Sequence, residues 1–207
     1  MSDEHVIDRI LSGRGWLTHR EIYAELRAWR FFDTLVDAAR SMKRDRLYQS
    51  KVHGVNHIER VILLGSLGAM AGKSNLCETE MLLDACAYHD VGRVNDWYDT
   101  EHGERSSAVI GELTGRKPGY ELDVIKAAVH AHSLPDSQMA DVMKIYSLEG
   151  DDFAHRFCCM LKDADGLDRF RINDFDESYL RLDFNHGFVN LAEDMVNSWY
   201  PTIEKTL

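Results

Sequence analysis

The stretch Met81-Leu82-Leu83-Asp84-Ala85-Cys86-Ala87-Tyr88-His89-Asp90-Val91-Gly92 decides the fold. An apolar run suited to a buried helix ends in a His-Asp pair, with a glycine close behind. Upstream, Asn75 with Glu78 three residues later makes a capping-box start, and Gly92 reads as a C′ stop. His89 and Asp90 therefore fall at the inner end of a buried helix. A buried carboxylate is rare unless it is paired or bound to a metal. Taken alone, the dipeptide is most simply a core hydrogen bond. The rest of the chain changes that reading.

Helical periodicity recurs on both sides of this stretch, and period-2 strand patterns are essentially absent. The three prolines, Pro118, Pro135 and Pro201, fall between helical segments or near the end. The expectation is an all-α helical bundle without repeats. Val6 to Leu11 reads as a short amphipathic turn. Thr18 with Glu21 makes a capping box, followed by an apolar stripe through Ile22, Leu26, Trp29, Leu35, Val36 and Ala39. The patch Lys43-Arg44-Asp45-Arg46 reads as a solvated face. The next helix begins at Val55 or Asn56 and runs to Ala71, closed by Gly72, with Gly65 and Gly68 permitting close helix contact.

After the His89-Asp90 helix, residues 93–103 read as a polar loop that delivers His102 just before another helix. Asp123 caps a helix that carries His130 and His132 and is stopped by Pro135. Residues 133–150 read as a loop. Asp151 or Asp152 caps a long helix from Phe153 towards Arg171, and an amphipathic last helix spans Phe188 to Trp199. Residues 1–50 are then a helical extension packed on a core domain of residues 51–172, and residues 173–207 a C-terminal segment of that same domain.

Composition narrows the class. The chain of 207 residues is 44% apolar and carries 35 Asp and Glu against 24 Lys and Arg, a formal charge of −11. So acidic a surface argues against polymeric nucleic acid or anionic membrane as partners, while leaving room for a local Lys/Arg cluster around a phosphate. No apolar run reaches the length of a membrane span, and the acidic start has no signal or transit pattern. The expectation is a soluble, cytoplasmic protein. The cysteines Cys77, Cys86, Cys158 and Cys159 have no CxxC spacing, which indicates neither a disulfide framework nor a zinc knuckle.

The histidines are more informative. His53, His57, His89, His102, His130 and His132 lie at or near helix ends in one half of the chain. With Asp90 and Asp165 they form a constellation of imidazole and carboxylate, which suits Mn, Fe, Co, Ni or Zn rather than Mg or Ca. His57, His89, Asp90 and Asp165 would hold one ion. His102 and His130 would add a second, with Asp90 free to bridge. Each extra residue has a plainer reading too. His102 reads equally as a solvated histidine, His130 has His132 as a rival on the same helix end, and His53 reads equally as a cap. Arg93 reads as a phosphate contact or an ion-pair partner, Arg60 as an ion-pair partner, and Lys162 as a weaker phosphate contact.

The ordered set, with HxxRV at His57-Ile58-Glu59-Arg60-Val61, HDVGR at His89–Arg93 and DADGLDRFR at Asp163–Arg171, resembles the HD-domain superfamily of metal-dependent phosphohydrolases. The likeness covers about residues 48–172. It implies an all-helical bundle around a metal. It places the core ligands on His57, His89, Asp90 and Asp165, the last from Ala164-Asp165-Gly166-Leu167. In members with two metals, His102 and His130 fit the remaining places. No GYP triplet follows His130, which argues against the subfamily that opens cyclic dinucleotides. Arg93 stands where some one-metal nucleotidases of similar type carry a catalytic Glu, which favours two metals with a cationic phosphate clamp.

What the resemblance implies is a hydrolase of a small phosphorylated compound, a nucleotide foremost, using one or two divalent transition-metal ions. Asp90 and Arg93 would be the catalytic groups, with Arg93, His53 and Lys162 contacting substrate and Asp90 or Asp163 accepting a proton. The alternatives are a di-iron, O₂-dependent oxygenase on the same ligands, or a non-catalytic ligand-binding module.

Overall fold

A computed structural model describes residues 5–199; residues 1–4, with their acidic start, and Pro201 lie outside them. Among the described residues the architecture is all helical. In chain order come α1 (Val6–Ser12), α2 (Arg20–Ala28), α3 (Phe32–Ser41), α4 (Val55–Ala71) and α5 (Leu76–Tyr88). They are followed by α6 (His102–Thr114), α7 (Tyr120–Ala131), α8 (Met139–Ile145), α9 (Asp152–Leu167) and α10 (Val189–Trp199).

α4 is the axis. Every residue from His57 to Ala69 is buried, so this helix is enclosed on all sides; residues 61–69 are apolar but for Ser66, whereas His57, Glu59 and Arg60 are buried with partners. It packs on α5 and α9, and α9 in turn packs on α7. α5 starts as its sequence dictates: Asn75 Oδ1 accepts from the Glu78 amide, and the Glu78 carboxylate accepts from the Asn75 amide. α9 is capped by Asp151, whose carboxylate accepts from the Ala154 amide. Gly65 lets α4 and α5 approach, because a Cβ there would come within 2.6 Å of Cys86 Sγ.

One charge on the buried axis, Glu59, sets the packing of the N-terminal helices. Glu59 accepts from the Val6 amide at 2.6 Å and from Arg44 Nη2 at 2.8 Å, and lies 3.1 Å from His5 Nδ1. The first turn of α1 is thereby fastened to the core. Arg44 is accordingly not on a solvated face as expected: a buried carboxylate needs a partner, and Arg44 supplies it. Lys43 is also engaged, with Nζ on the Leu113 carbonyl at 2.8 Å.

Four other expectations are corrected. Asp123 does not cap α7, which already starts at Tyr120 behind Gly119 and carries Asp123 in its first turn. Thr18 does not cap α2; its hydroxyl donates to Asp194 of α10 while His19 Nε2 lies 2.8 Å from the same carboxylate. A long-range bond has displaced the local one. Residues 133–150 are not a loop throughout, since α8 buries Met139, Val142 and Met143 at helical spacing. Gly92 is not a left-handed helix stop. Its lack of a Cβ matters instead because Ser106 N and the His102 carbonyl would lie 2.5 and 2.6 Å away.

The Gly65 contact yields a stability test. Gly65→Ala is expected to cost about 1–3 kcal/mol in denaturant unfolding, as overpacking of a filled core does. Adding Cys86→Ala is expected to recover part of that loss. A Gly65→Ala protein as stable as the parent would show that the α4–α5 contact is not set by this glycine.

Candidate metal centre

The central residue is Asp90, just beyond the end of α5 and 2% exposed. Around it stand four imidazoles whose orientation is fixed locally. His89 follows the last residue of α5 and donates Nδ1–H to the Cys86 carbonyl at 2.9 Å. His132 follows the last residue of α7 and donates Nδ1–H to the Val129 carbonyl at 2.5 Å. Each thus satisfies one of the carbonyls that a helix end leaves open. His102, the first residue of α6, makes the corresponding bond to the Asp99 carbonyl. His57, in the first turn of α4, instead donates Nδ1–H to Asp168 Oδ2 at 2.7 Å.

An imidazole that donates from Nδ1 carries its lone pair on Nε2 while it is neutral. All four Nε2 atoms point into one cluster. His57 and His89 face each other at 3.1 Å, and His102 and His132 at 2.9 Å. Asp90 stands between the pairs. Its Oδ2 lies 3.5 and 3.8 Å from the Nε2 atoms of His57 and His89, and its Oδ1 3.0 and 3.5 Å from those of His102 and His132. Asp165 Oδ1 completes the first pair, 3.4 Å from His57 and 3.7 Å from His89. Its side chain is 19% exposed, which opens the cluster to solvent on that side.

Two lone pairs at such distances repel unless a cation lies between them. Between His57 and His89 a proton is disfavoured, because burial drives the His89 pKa from 6.5 down to about 3. Burial would also raise the Asp90 carboxyl, yet the surrounding His89, His102, His132 and His53 outweigh it and hold Asp90 well below its ordinary value. Asp165 is likewise lowered, burial being outweighed by His89, His57 and Arg171. The donor set therefore fits a divalent ion. His53, His57 and Asp90; His57, His89 and Asp165; and His89, Asp90 and His132 are each grouped closely enough to hold one. The C-terminal ends of α5 and α7 add the favourable end of the helix dipole for a cation.

The outer residues hold this array. Asp168 accepts from His57 and from both Nε and Nη2 of Arg60, at 2.5 and 2.9 Å. Burial alone would raise the Asp168 carboxyl, but Arg60 and His57 bring it down to about 2. Arg171 donates to the Val52 and Asp168 carbonyls and reaches His53 Nδ1 at 3.2 Å. His53 Nδ1 lies 3.0 Å from Asp90 Oδ2. Arg93 Nε lies 3.0 Å from Asp90 Oδ1, near enough for an ion pair though not aligned to donate, and its Nη1 reaches the Trp97 carbonyl.

The structure thus brings together His57, His89, Asp90, His102 and Asp165, with His53 and Arg93 beside them. His130 stands apart: it precedes the end of α7, and its Nδ1 lies 3.2 Å from the Tyr146 hydroxyl. His132, two residues on, takes the place expected for His130. The signal for this was present, because His132 stands to α7 as His89 stands to α5. Lys162 does not face the cluster either. Its ammonium caps the end of α7 through the Ala131 and Leu134 carbonyls and pairs with Asp136. Asp163 is unavailable as a proton acceptor, since amides of Arg181 and Leu182, the Arg181 guanidinium and Asn185 all donate to it. Sequence reasoning missed Asp168 and Arg171, whose roles depend on contacts more than 100 residues apart in the chain.

No family model, curated protein or solved structure matches this chain. Among the described residues no helix is long and apolar enough to cross a membrane.

His132→Ala is expected to lower the content of bound Mn²⁺ or Zn²⁺ by elemental analysis, whereas His130→Ala leaves it at the parent level. The reverse pattern would overturn the placement of His132 among the ligands.

Proposed function

We propose that the protein is a metal-dependent phosphohydrolase of the HD type, acting on a small phosphorylated compound of nucleotide class. The observation that carries this reading is the placement of Asp90, with one lone-pair histidine pair at each carboxylate oxygen and the Arg93 guanidinium beside it. Such an array suits two ions sharing Asp90. Ions held by His57, His89, Asp90 and Asp165, and by His102, His132 and Asp90, would supply Lewis-acid stabilisation of phosphoryl charge and acidify a water.

The chain's own residues support a phosphate substrate. Arg93 keeps a guanidinium beside Asp90 with its side chain 12% exposed, suited to offset charge on phosphoryl oxygens. Its length spans from Asp90 to the Trp97 carbonyl, so it ties the loop 93–101 to the cluster. The same loop is tied on the other side, where Ser50 donates to Asp96 at 2.5 Å. At and just after these anchors Trp97 and Tyr98 stand 83% and 90% exposed. Exposed aromatic rings on the loop that Arg93 anchors suit a substrate with a planar base, because stacking contributes about 1–3 kcal/mol per base.

The test is phosphate release from nucleotides by protein loaded with Mn²⁺, Co²⁺, Ni²⁺ or Fe²⁺. Release is expected with at least one of these ions and is abolished by excess chelator. Arg93→Ala is expected to lower kcat by about 100-fold, the scale of losing one positioned charge-stabilising donor. Release that persisted in chelator would sink the mechanism. No release from a broad panel, with substrate-dependent O₂ uptake by the iron-loaded protein, would instead identify an oxygenase on the same ligands.

A further inference from the structure

A second site stands on the N-terminal helices, sharing no residue with the metal cluster. Arg27 near the end of α2, Arg30 in the turn after it and Arg40 near the end of α3 line a cavity of about 390 Å³ together with Trp29, Phe32 and Asp33. This volume falls within the ordinary range for small-ligand pockets, roughly 300–1,000 Å³. In a chain of charge −11, three guanidiniums around one cavity would be expected to attract the abundant carboxylates. Among the described residues none of the three has a carboxylate within 4.0 Å, and Asp33 on the same wall pairs with none of them.

Two of these guanidiniums are already placed by aromatic rings. Arg27 lies over Phe32, 4.6 Å from the ring centre, and Arg30 over Phe31 at 4.4 Å. A ring occupies the flat face of a guanidinium and leaves its edge, the N–H fork, directed elsewhere. That edge matches the two-oxygen spacing of a phosphate. Trp29 is half-buried and Phe32 buried, so the cavity also offers aromatic surface beside the cations.

We propose that this cavity binds a mononucleotide, with phosphates on the forks of Arg27, Arg30 and Arg40 and the base against Trp29. Binding here does not depend on the metal centre or on the hydrolytic reading of it. The bound nucleotide would bridge α2 and α3, the helices whose apolar sides rest on the core.

Titration calorimetry with ATP tests it, using the parent protein in excess chelator and the Asp90→Asn protein, so that the metal centre takes no part. Both are expected to bind ATP at one saturable site per chain, tightest at low salt. Arg27→Ala and Arg30→Ala are each expected to weaken that binding at least tenfold, with helical circular dichroism unchanged. Arg46→Ala, a surface arginine outside the cavity, is expected to leave it as it was. Trp29→Leu is expected to weaken ATP while sparing inorganic tripolyphosphate. Absence of saturable ATP binding up to about 1 mM would overturn the proposal. So would binding indifferent to Arg27 and Arg30, or tripolyphosphate bound as tightly as ATP. Concentration-dependent dimerisation abolished by Arg27→Ala would also overturn it, by giving the cavity to a second copy of the chain.

Discussion

Four imidazoles give their Nδ1–H to oxygen and turn their Nε2 lone pairs on one carboxylate; the rest of the structure depends on that constraint. Three of the four acceptors are carbonyls three residues earlier in the chain. Two of those belong to helix ends, where such carbonyls would otherwise need water or a cap. The same bonds that finish α5 and α7 therefore aim His89 and His132. Imidazoles bonded in this way are more basic and better oriented as metal ligands. Folding and site formation share the same hydrogen bonds.

The fourth imidazole depends on a different device. His57 lies in the first turn of α4, where no carbonyl of its own helix is open, so it relies on Asp168 from beyond α9. Asp168 would be costly alone in the interior. Arg60, fully buried on α4 one turn after His57, neutralises it with a two-pronged contact. On the preceding residue, Glu59 performs the corresponding task for the N-terminal helices, holding α1 and Arg44 to the axis. One turn of α4 thus anchors both the histidine cluster and the extension, through two buried charges of opposite sign.

Much of this was legible in the sequence wherever local rules governed. The Asn75–Glu78 cap, the span of α4, the Asp151 cap and the position of His89-Asp90 at a helix end all follow from propensities that act within a few residues. What was not legible depended on distant partners. Thr18 and Glu21 have the form of a capping box, yet Asp194 of α10 claims the hydroxyl. Arg44 has the look of a solvated cation, yet Glu59 is buried and needs it. Asp168 is one of several aspartates in an acidic run, and only the fold shows which of them meets His57. The choice between His130 and His132 is intermediate. Spacing allows both, whereas the helix-end geometry already displayed by His89 favours His132.

Anomalous diffraction from crystals grown with Mn²⁺ tests the central claim most directly. Scattering peaks are expected on both sides of Asp90, one among His57, His89 and Asp165 and the other beside His102 and His132. A well-ordered map with no peak at either histidine pair, or with the ion on His130, would contradict it.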